Sequence, residues 1–360
     1  MRTEISIAVV LLALHVTADA YEIPTHEEIT RVAAQASAAE QVLREDLDQS
    51  AGLASPVDGQ RLIEWLTRGA RREDAQVRFL NHFHNPLVAD WAQAGLLGTV
   101  GQSSILWGQN QSQSFPSWSW QDVRRTYFDA LTRASRSERD ASLARSFEGL
   151  GRQAHLVQDA ASPAHTRNDP HVFFNYESLV DVARTSAASD FGGWLNGPTE
   201  LPGVPGVGWR TLDANPLAPI AVARLIDTDR YVATNPDVTT EALIGLAEYT
   251  NANFFSEDRI FTENDPSLQK RFPYPKRASV TEQDFDIQVR NATVKRRYFV
   301  KTSDGATGYR LATVGFLRDY HQRFNLDWTR FRESPALDEG VYRDYAARLL
   351  PRAVAYSTAL

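Results

Sequence analysis

Cysteine is absent from the 360 residues. No disulfide and no thiolate metal ligand can be invoked, and the absence is compatible with an oxidising compartment. Positive charge is in deficit: 38 Lys and Arg stand against 45 Asp and Glu, a formal net charge of −7. No overall basic field draws such a chain to nucleic acid or anionic lipid, although a local basic patch stays open. Past the first twenty residues there is no apolar run of membrane-spanning length, and there is no internal repeat. What remains is ordinary globular material, 42% hydrophobic and 23% charged. That is enough for one large core or two modest ones.

The N-terminus reads as a secretory signal. Arg2 precedes the apolar run Ile5–Val16, which is too short to span a bilayer. Ala18-Asp19-Ala20 then offers small residues at the two positions a signal peptidase reads. Cleavage of residues 1–20 before Tyr21 makes the mature protein secreted or periplasmic; an uncleaved N-terminal anchor is the alternative.

Thr25 and Glu28 form a capping box, which predicts a helix from His26 toward Leu43. Apolar spacing predicts further helices over Gln60–Gly69, over Trp120–Ala134, from Ser137 to the region of Asp159, and again past Glu177. Others are expected over Ile220–Tyr231 and Thr239–Phe255, with an amphipathic helix at Glu339–Leu360. That last helix has no cap or glycine at its end, which leaves the chain free to continue or to dock there. The Gly-, Gln- and Ser-rich stretch Gly98–Ser119 reads as a surface loop, and Gly192–Pro219 as a lid or rim. Val294–Lys301 and Tyr309–Val314 read as two strands joined around Asp304-Gly305. Lys295, Arg296, Arg297 and Lys301 make this hairpin basic, as a solvated edge or as a phosphate or lipid contact.

The chemistry is concentrated in Leu150–Glu177. His155 and Asp159 are four apart, so on a helix they project from one face and can grip one ion. Pro163 breaks that helix, His165 follows, and His171 and Glu177 lie where the chain turns back. Imidazole nitrogen and carboxylate oxygen without thiolate is the donor set of a hydrolytic zinc site more than of a structural one. Upstream, Asp74 and the pair His82 and His84 add candidates, and either histidine of the pair can be the ligand. His26 lies near the new amino terminus, whose amino group can itself bind metal when deprotonated. Each alone has a plainer reading, as a polar helix end, a packed histidine between aromatics, or a frayed terminus.

In their order along the chain these pieces resemble the zinc-dependent phospholipase C and P1/S1 nuclease superfamily, over about residues 21–255. The resemblance rests on His-x3-Asp-x5-His (His155, Asp159, His165, with Pro163-Ala164 before the last). It rests also on Asn81-His82-Phe83-His84-Asn85-Pro86 after Gly69-x4-Asp74, and on a histidine at the sixth mature residue. It implies an all-α fold, a multi-helix bundle over 21–262 that holds two or three Zn2+ ions in a cleft. Residues 263–360 would add a small inserted or appended β-hairpin element and C-terminal helices as an accessory region. By the same resemblance Asp74, His82, His155 and Asp159 bind one ion. Asp159 bridges to a second, held by His26 and by the amino and carbonyl groups of Tyr21. His165, His171 and an acid hold the third. The family's N-terminal Trp is Tyr21 here, and its last acid, four residues after the last histidine, is Asn175. Glu177 would take that role, with Asn175 or Asp169 as substitutes.

The activity implied is phosphodiester hydrolysis by in-line attack of a zinc-activated hydroxide on phosphorus. Asp159 would bridge the ions and Asp74 could also act as general base. A phospholipid head group is the first expected substrate, with peripheral membrane contact. A nuclease acting on single-stranded nucleic acid is the second reading, and it needs an aromatic slot and cations along a backbone. Trp107, Trp118, Trp194 and Trp209 are candidates for either surface. A non-catalytic, zinc-stabilised secreted binding protein is the third.

Overall fold

The computed structural model describes residues 23–75, 77–98, 100–113, 116–170, 175–196, 222–232, 234, 244–289, 292–302, 308–315 and 335–360. The predicted leader, Tyr21, His171, Trp209 and the Asp304-Gly305 turn lie outside them, as does most of the Gly192–Pro219 loop. Over the described residues the protein is mostly helical, with a small antiparallel sheet.

Helix α1 spans Ile23–Ala36. It begins before the expected capping box, because Pro24 sits in its first turn, where a missing N–H leaves no bond unmade. Thr25 is thus already helical, and His26 still falls in the first turn. The helix also ends earlier than Leu43. The Ser37 hydroxyl donates to Ala34 O and accepts from Ala39 N–H, which turns the chain into α2, Ala39–Glu45. A two-residue hairpin follows, β1 (Pro56–Val57) and β2 (Gln60–Arg61). Its Asp58-Gly59 turn has positive φ at both residues, the backbone that suits a tight hairpin.

Helix α3, Leu62–Glu73, runs four residues past the expected stop at Gly69. Gly69 is a crossing point and not a terminator. A Cβ there would stand 1.9 Å from Glu148 O, and one at Gly151 would stand 1.9 Å from Leu66 O. Both contacts are with α6, Arg136–Asp159, which is capped by the Ser135 side chain. Two glycines therefore let the α3 and α6 backbones touch, and this contact sets how close their ends come. Between them lie α4 (Ser104–Gln109), inside the stretch expected to be loop, and α5 (Trp120–Thr132).

After α6 the chain breaks at Ser162-Pro163 into the single turn α7, Pro163–Thr166. Then come α8 (Tyr176–Ser186), α9 (Ala188–Leu195), α10 (Val222–Ile226), α11 (Leu246–Asn253) and α12 (Pro266–Gln269). The last two expected helices before the sheet are shorter in the structure than their apolar spacing suggests, and residues 235–243 lie outside the description.

The expected strand pair is present as β4 (Ala292–Lys301) and β5 (Tyr309–Thr313), with Lys301 opposite Tyr309. A third strand, β3 (Thr281–Val289), pairs along the whole of β4, from Thr281↔Val300 to Val289↔Ala292. It was not expected because TEQDFDIQV carries few apolar residues. Its stability comes instead from the ladder and from cross-strand pairs such as Asp284 with Arg297, 2.8 Å. The basic stretch on β4 is largely committed to partners. Arg297 holds Asp284, Arg296 donates to Asp338, and Lys301 Nζ lies 2.6 Å from Asn253 Oδ1 in the interior.

The terminal helix α13, Glu339–Ala359, is not an amphipathic surface helix. Val341, Tyr345, Leu349 and Ala353 are buried, but so are Tyr342, Leu350 and Val354 on its other sides. One hydrophobic cluster joins α13 to Ile29 and Ala33 of α1, Val157 of α6, Val180 of α8, Tyr249 of α11, and Phe299 and Leu311 of the sheet. The elements of 263–360 thus share their core with the helical part. Among the described residues no helix is long and apolar enough to cross a membrane.

Candidate metal centre

The α3–α6 crossing brings Asp74, the residue that closes α3, against His155 and Asp159 in the last turns of α6. His82 arrives from the loop after a short 3-10 turn, Arg78–Asn81. That loop is pinned to α7 from both sides: His84 N–H donates to His165 O, and His165 Nδ1 lies 3.2 Å from His82 O. Arg167 anchors the far end of α7. Fully buried, it donates to the carbonyls of Asn251, Phe254, Tyr274 and Arg259, and burial pulls its guanidinium down to about 10.

His82 and His155 each contact both Asp74 and Asp159. His82 Nδ1 lies 3.2 Å from Asp74 Oδ1 and 3.0 Å from Asp159 Oδ2. His155 Nε2 lies 3.3 Å from each of the same two oxygens and 3.2 Å from His82 Nδ1. The candidate metal-holding sets are two, His82 with His155 and Asp159, and His26 with Asp74 and His155. Asp159 turns its other oxygen to His26, with Nε2 to Oδ1 at 3.4 Å, so one carboxylate spans two groups. His165 is 3.9 Å from Asp159 through Nδ1 and, through Nε2, 3.4 Å from Glu177 Oε1. All seven side chains are buried.

The tautomers sharpen this. A carbonyl oxygen only accepts, so His155 Nδ1, 2.8 Å from Ala70 O, must carry its proton, as must Nδ1 of His165 beside His82 O. In neutral His155 that leaves the Nε2 lone pair aimed at Asp74 and Asp159, whose four carboxylate oxygens accept no hydrogen bond. Lone pairs facing lone pairs at 3.3 Å in a buried cluster are costly unless a proton or a metal ion lies between them. Buried His/Asp clusters of this kind could hold a metal ion.

Without metal, protons supply the cation. Burial works against charge on His155, but Asp74 and Asp159 outweigh it and hold that imidazole well above its usual range. The same opposition, with Asp159 foremost, lifts His82 to about 8. Burial alone would raise the two carboxyls, yet the imidazoles, His155 first, pull Asp74 and Asp159 down. His26 goes the other way: burial and the neighbouring His155, stacked on it at 3.7 Å, push it down to about 4.

The structure brings together His26, Asp74, His82, His155, Asp159, His165 and Glu177 of the predicted set. Tyr21 and His171 lie outside the described residues. His82 and His84 are now distinguished. His84 places Nδ1 2.7 Å from Ser103 Oγ and Nε2 2.7 Å from Asp227 Oδ2, away from the cluster. This has the order of a hydrolase triad, but all three residues are buried and the Ser103 hydroxyl caps α4, so it is a strut. Asn175 is the N-cap of α8, accepting from Ser178 N–H, and Asp169 accepts from Asp258 N–H. Glu177, from the first turn of α8, is the acid beside His165, where an irregular loop had been expected. Trp107 and Trp118 are buried as well. Trp107 donates to Glu73, and Trp118 packs under Arg145 and Arg152, so neither belongs to a surface slot.

Sequence reasoning missed the supporting layer. Glu73 accepts from Arg78, Arg152 and Trp107 and braces the chain beside Asp74. Gln158 meets His26, and Asp227 meets His84. The available signal was adjacency, since Glu73 and Gln158 each precede a ligand-type Asp by one residue. No family model matches the chain, and no curated protein or solved structure matches it significantly.

Proposed function

We propose that this protein is a zinc-dependent phosphoester hydrolase of the phospholipase C and P1/S1 nuclease kind, with a phospholipid head group as its substrate class. The observation that carries the proposal is that buried His82 Nδ1 and His155 Nε2 each lie 3.0–3.3 Å from both Asp74 Oδ1 and Asp159 Oδ2, in sets that could hold a metal ion. The nitrogen and oxygen donor set, free of sulfur, fits zinc in a hydrolytic role. Zinc bound there would supply Lewis acidity and lower the pKa of a coordinated water to about 7.

The chain's own residues would do the rest. Asp74, His82, His155 and Asp159 would hold one ion. The second oxygen of Asp159, with His26, would serve a neighbouring position, and His165 with Glu177 a third. Ala70 O keeps the His155 proton on Nδ1, so that Nε2 stays available. Glu73, clamped by Arg78 and Arg152, keeps the Asp74 end of α3 from swinging away. The phospholipid reading is favoured over nucleic acid by two features of the described residues: the basic strand residues Arg296, Arg297 and Lys301 are committed to partners, and Trp107 and Trp118 face inward.

The test is a zinc count on purified protein. It is followed by hydrolysis assays on phosphatidylcholine vesicles and on a single-stranded oligonucleotide, with Asp159→Asn in parallel. Two or three zinc ions per chain and vesicle hydrolysis abolished by Asp159→Asn are expected. Oligonucleotide cleavage alone would move the protein to the nuclease reading. Bound zinc with neither activity would make it a binding protein.

A further inference from the structure

We propose that Gln158 is a positioning residue that fixes the tautomer of His26 and thereby keeps that histidine ready to bind metal. This deepens the metal-centre reading and rests on it. Three histidines of the cluster, His26, His155 and His165, turn Nδ1 outward to an acceptor and Nε2 inward to a carboxylate. For His155 and His165 the acceptor is a main-chain carbonyl, Ala70 O and His82 O, which cannot change its polarity. For His26 it is a side-chain amide, Gln158 Oε1, 2.7 Å from Nδ1.

An amide has two unlike ends, so this acceptor must itself be oriented. The Gln158 Nε2 end donates to Thr30 Oγ1 at 2.8 Å with the oxygen toward His26, an orientation that Thr30 supports as long as its hydroxyl serves as the acceptor. Thr30 is one helical turn beyond His26 on α1, so a single face of α1 presents both groups to the amide. All three residues are buried. Turned the other way, the amide would offer N–H to Nδ1 and force the imidazole proton onto Nε2. That proton would then point at Asp159 Oδ1, 3.4 Å off, and close the pair to any cation. Outer groups of this kind change metal affinity by roughly 10–100-fold.

The lock can be read with and without metal. Long-range proton–nitrogen spectra of metal-free protein labelled at the histidine nitrogens report which ring nitrogen of His26 carries hydrogen. Zinc affinity, measured by competition with a chelator, reports the consequence. Gln158→Leu is expected to give mixed His26 tautomers and roughly 10–100-fold weaker zinc binding at the His26 position, with helix content unchanged. Thr30→Val, a hydroxyl-to-methyl exchange beside an apolar cavity of about 280 Å³, is expected to shift both readouts in the same direction by less. Gln158→Glu, which accepts from Nδ1–H through either oxygen, should restore the Nδ1–H tautomer even with Thr30→Val. Unchanged His26 tautomer and unchanged zinc affinity in folded Gln158→Leu would overturn the lock, as would failure of Gln158→Glu to rescue Thr30→Val. If wild-type protein takes up no zinc while Gln158→Leu still scrambles the tautomer, the metal centre is wrong and the lock is right.

Discussion

Two buried carboxylates in this molecule have opposite surroundings. Glu248, on α11, accepts five hydrogen bonds: from the N–H groups of Thr228, Arg230, Tyr231 and Gly245, and from the Thr228 hydroxyl. Asp159, equally buried, accepts from no main-chain N–H and faces imidazole nitrogens. The histidines repeat the contrast. His84 is satisfied at both nitrogens at 2.7 Å, whereas His82 Nδ1 stands among two carboxylates and another imidazole. A carboxylate that closes a loop gathers main-chain N–H groups. One that waits for a cation is kept away from them and held by its neighbours. Burial alone does not separate the two kinds; the count of satisfied lone pairs does.

The strongest test of this contrast is to exchange the charged oxygen on each side. Asp159→Asn should lower zinc affinity by more than about 100-fold, beyond the range of outer-group changes, while the fold persists by circular dichroism. Glu248→Gln should do the reverse. It leaves zinc stoichiometry intact and costs about 2–3 kcal/mol in denaturant unfolding, because an amide N–H then meets main-chain N–H groups. Zinc loss in Glu248→Gln, or its retention in Asp159→Asn, would erase the distinction.

A second test strikes the frame that holds the ligands. Alanine for glycine inside a helix ordinarily gains about 1 kcal/mol. At Gly69 or Gly151 the new Cβ would meet a carbonyl oxygen at 1.9 Å. Either substitution should therefore cost about 3 kcal/mol and weaken zinc binding, as α3 is pushed from α6. Both effects would be followed by thermal melts with and without chelator.

The smallest effect is in pH dependence. The raised His82 stabilises the metal-free fold fully below 6.5, and this contribution, about 2 kcal/mol from a shift to about 8, is lost as pH rises through 8. His26, lowered to about 4, acts oppositely: the unfolded chain takes up its proton first, so stability falls as pH drops from 6.5 toward 4. Chelated protein should be most stable near pH 6.5 and decline on both sides, and zinc should abolish the decline above pH 8. A flat profile for chelated protein between pH 6 and 9 would mean that protons do not stand in for the cation.

The residues of the candidate metal centre were legible because their information is local. His155 and Asp159 share a helix face at a spacing that any α-helix enforces, and Pro163 marks the break that frees His165. The long helices were legible for the same reason, apart from their ends. Gly69 was misread as a stop because only the partner helix reveals why a glycine stands there. The α13 stripe read as amphipathic because the partners of its other sides, such as Tyr249 of α11 under Arg352 and Tyr309 of β5 under Arg348, come from distant stretches. Strand β3 was invisible because its hydrogen bonds come from β4 and its own side chains are mostly polar. The choice between His82 and His84 depended on Ser103 and Asp227, 19 and 143 residues from His84.

The place of α13 has a consequence for biosynthesis. Thr358 donates to Ala33 O across 325 residues, and the helix that carries His26 is seated against α13. A ribosome that has made every described residue of the candidate centre through Glu177 has therefore not yet made the support for the first of them. Long sequence separations of this kind slow folding and leave apolar surface waiting. A metal ion, if the cluster holds one, is thus expected to be retained only once α13 has been made and seated, and a nascent protein arrested before residue 339 should emerge unable to retain it.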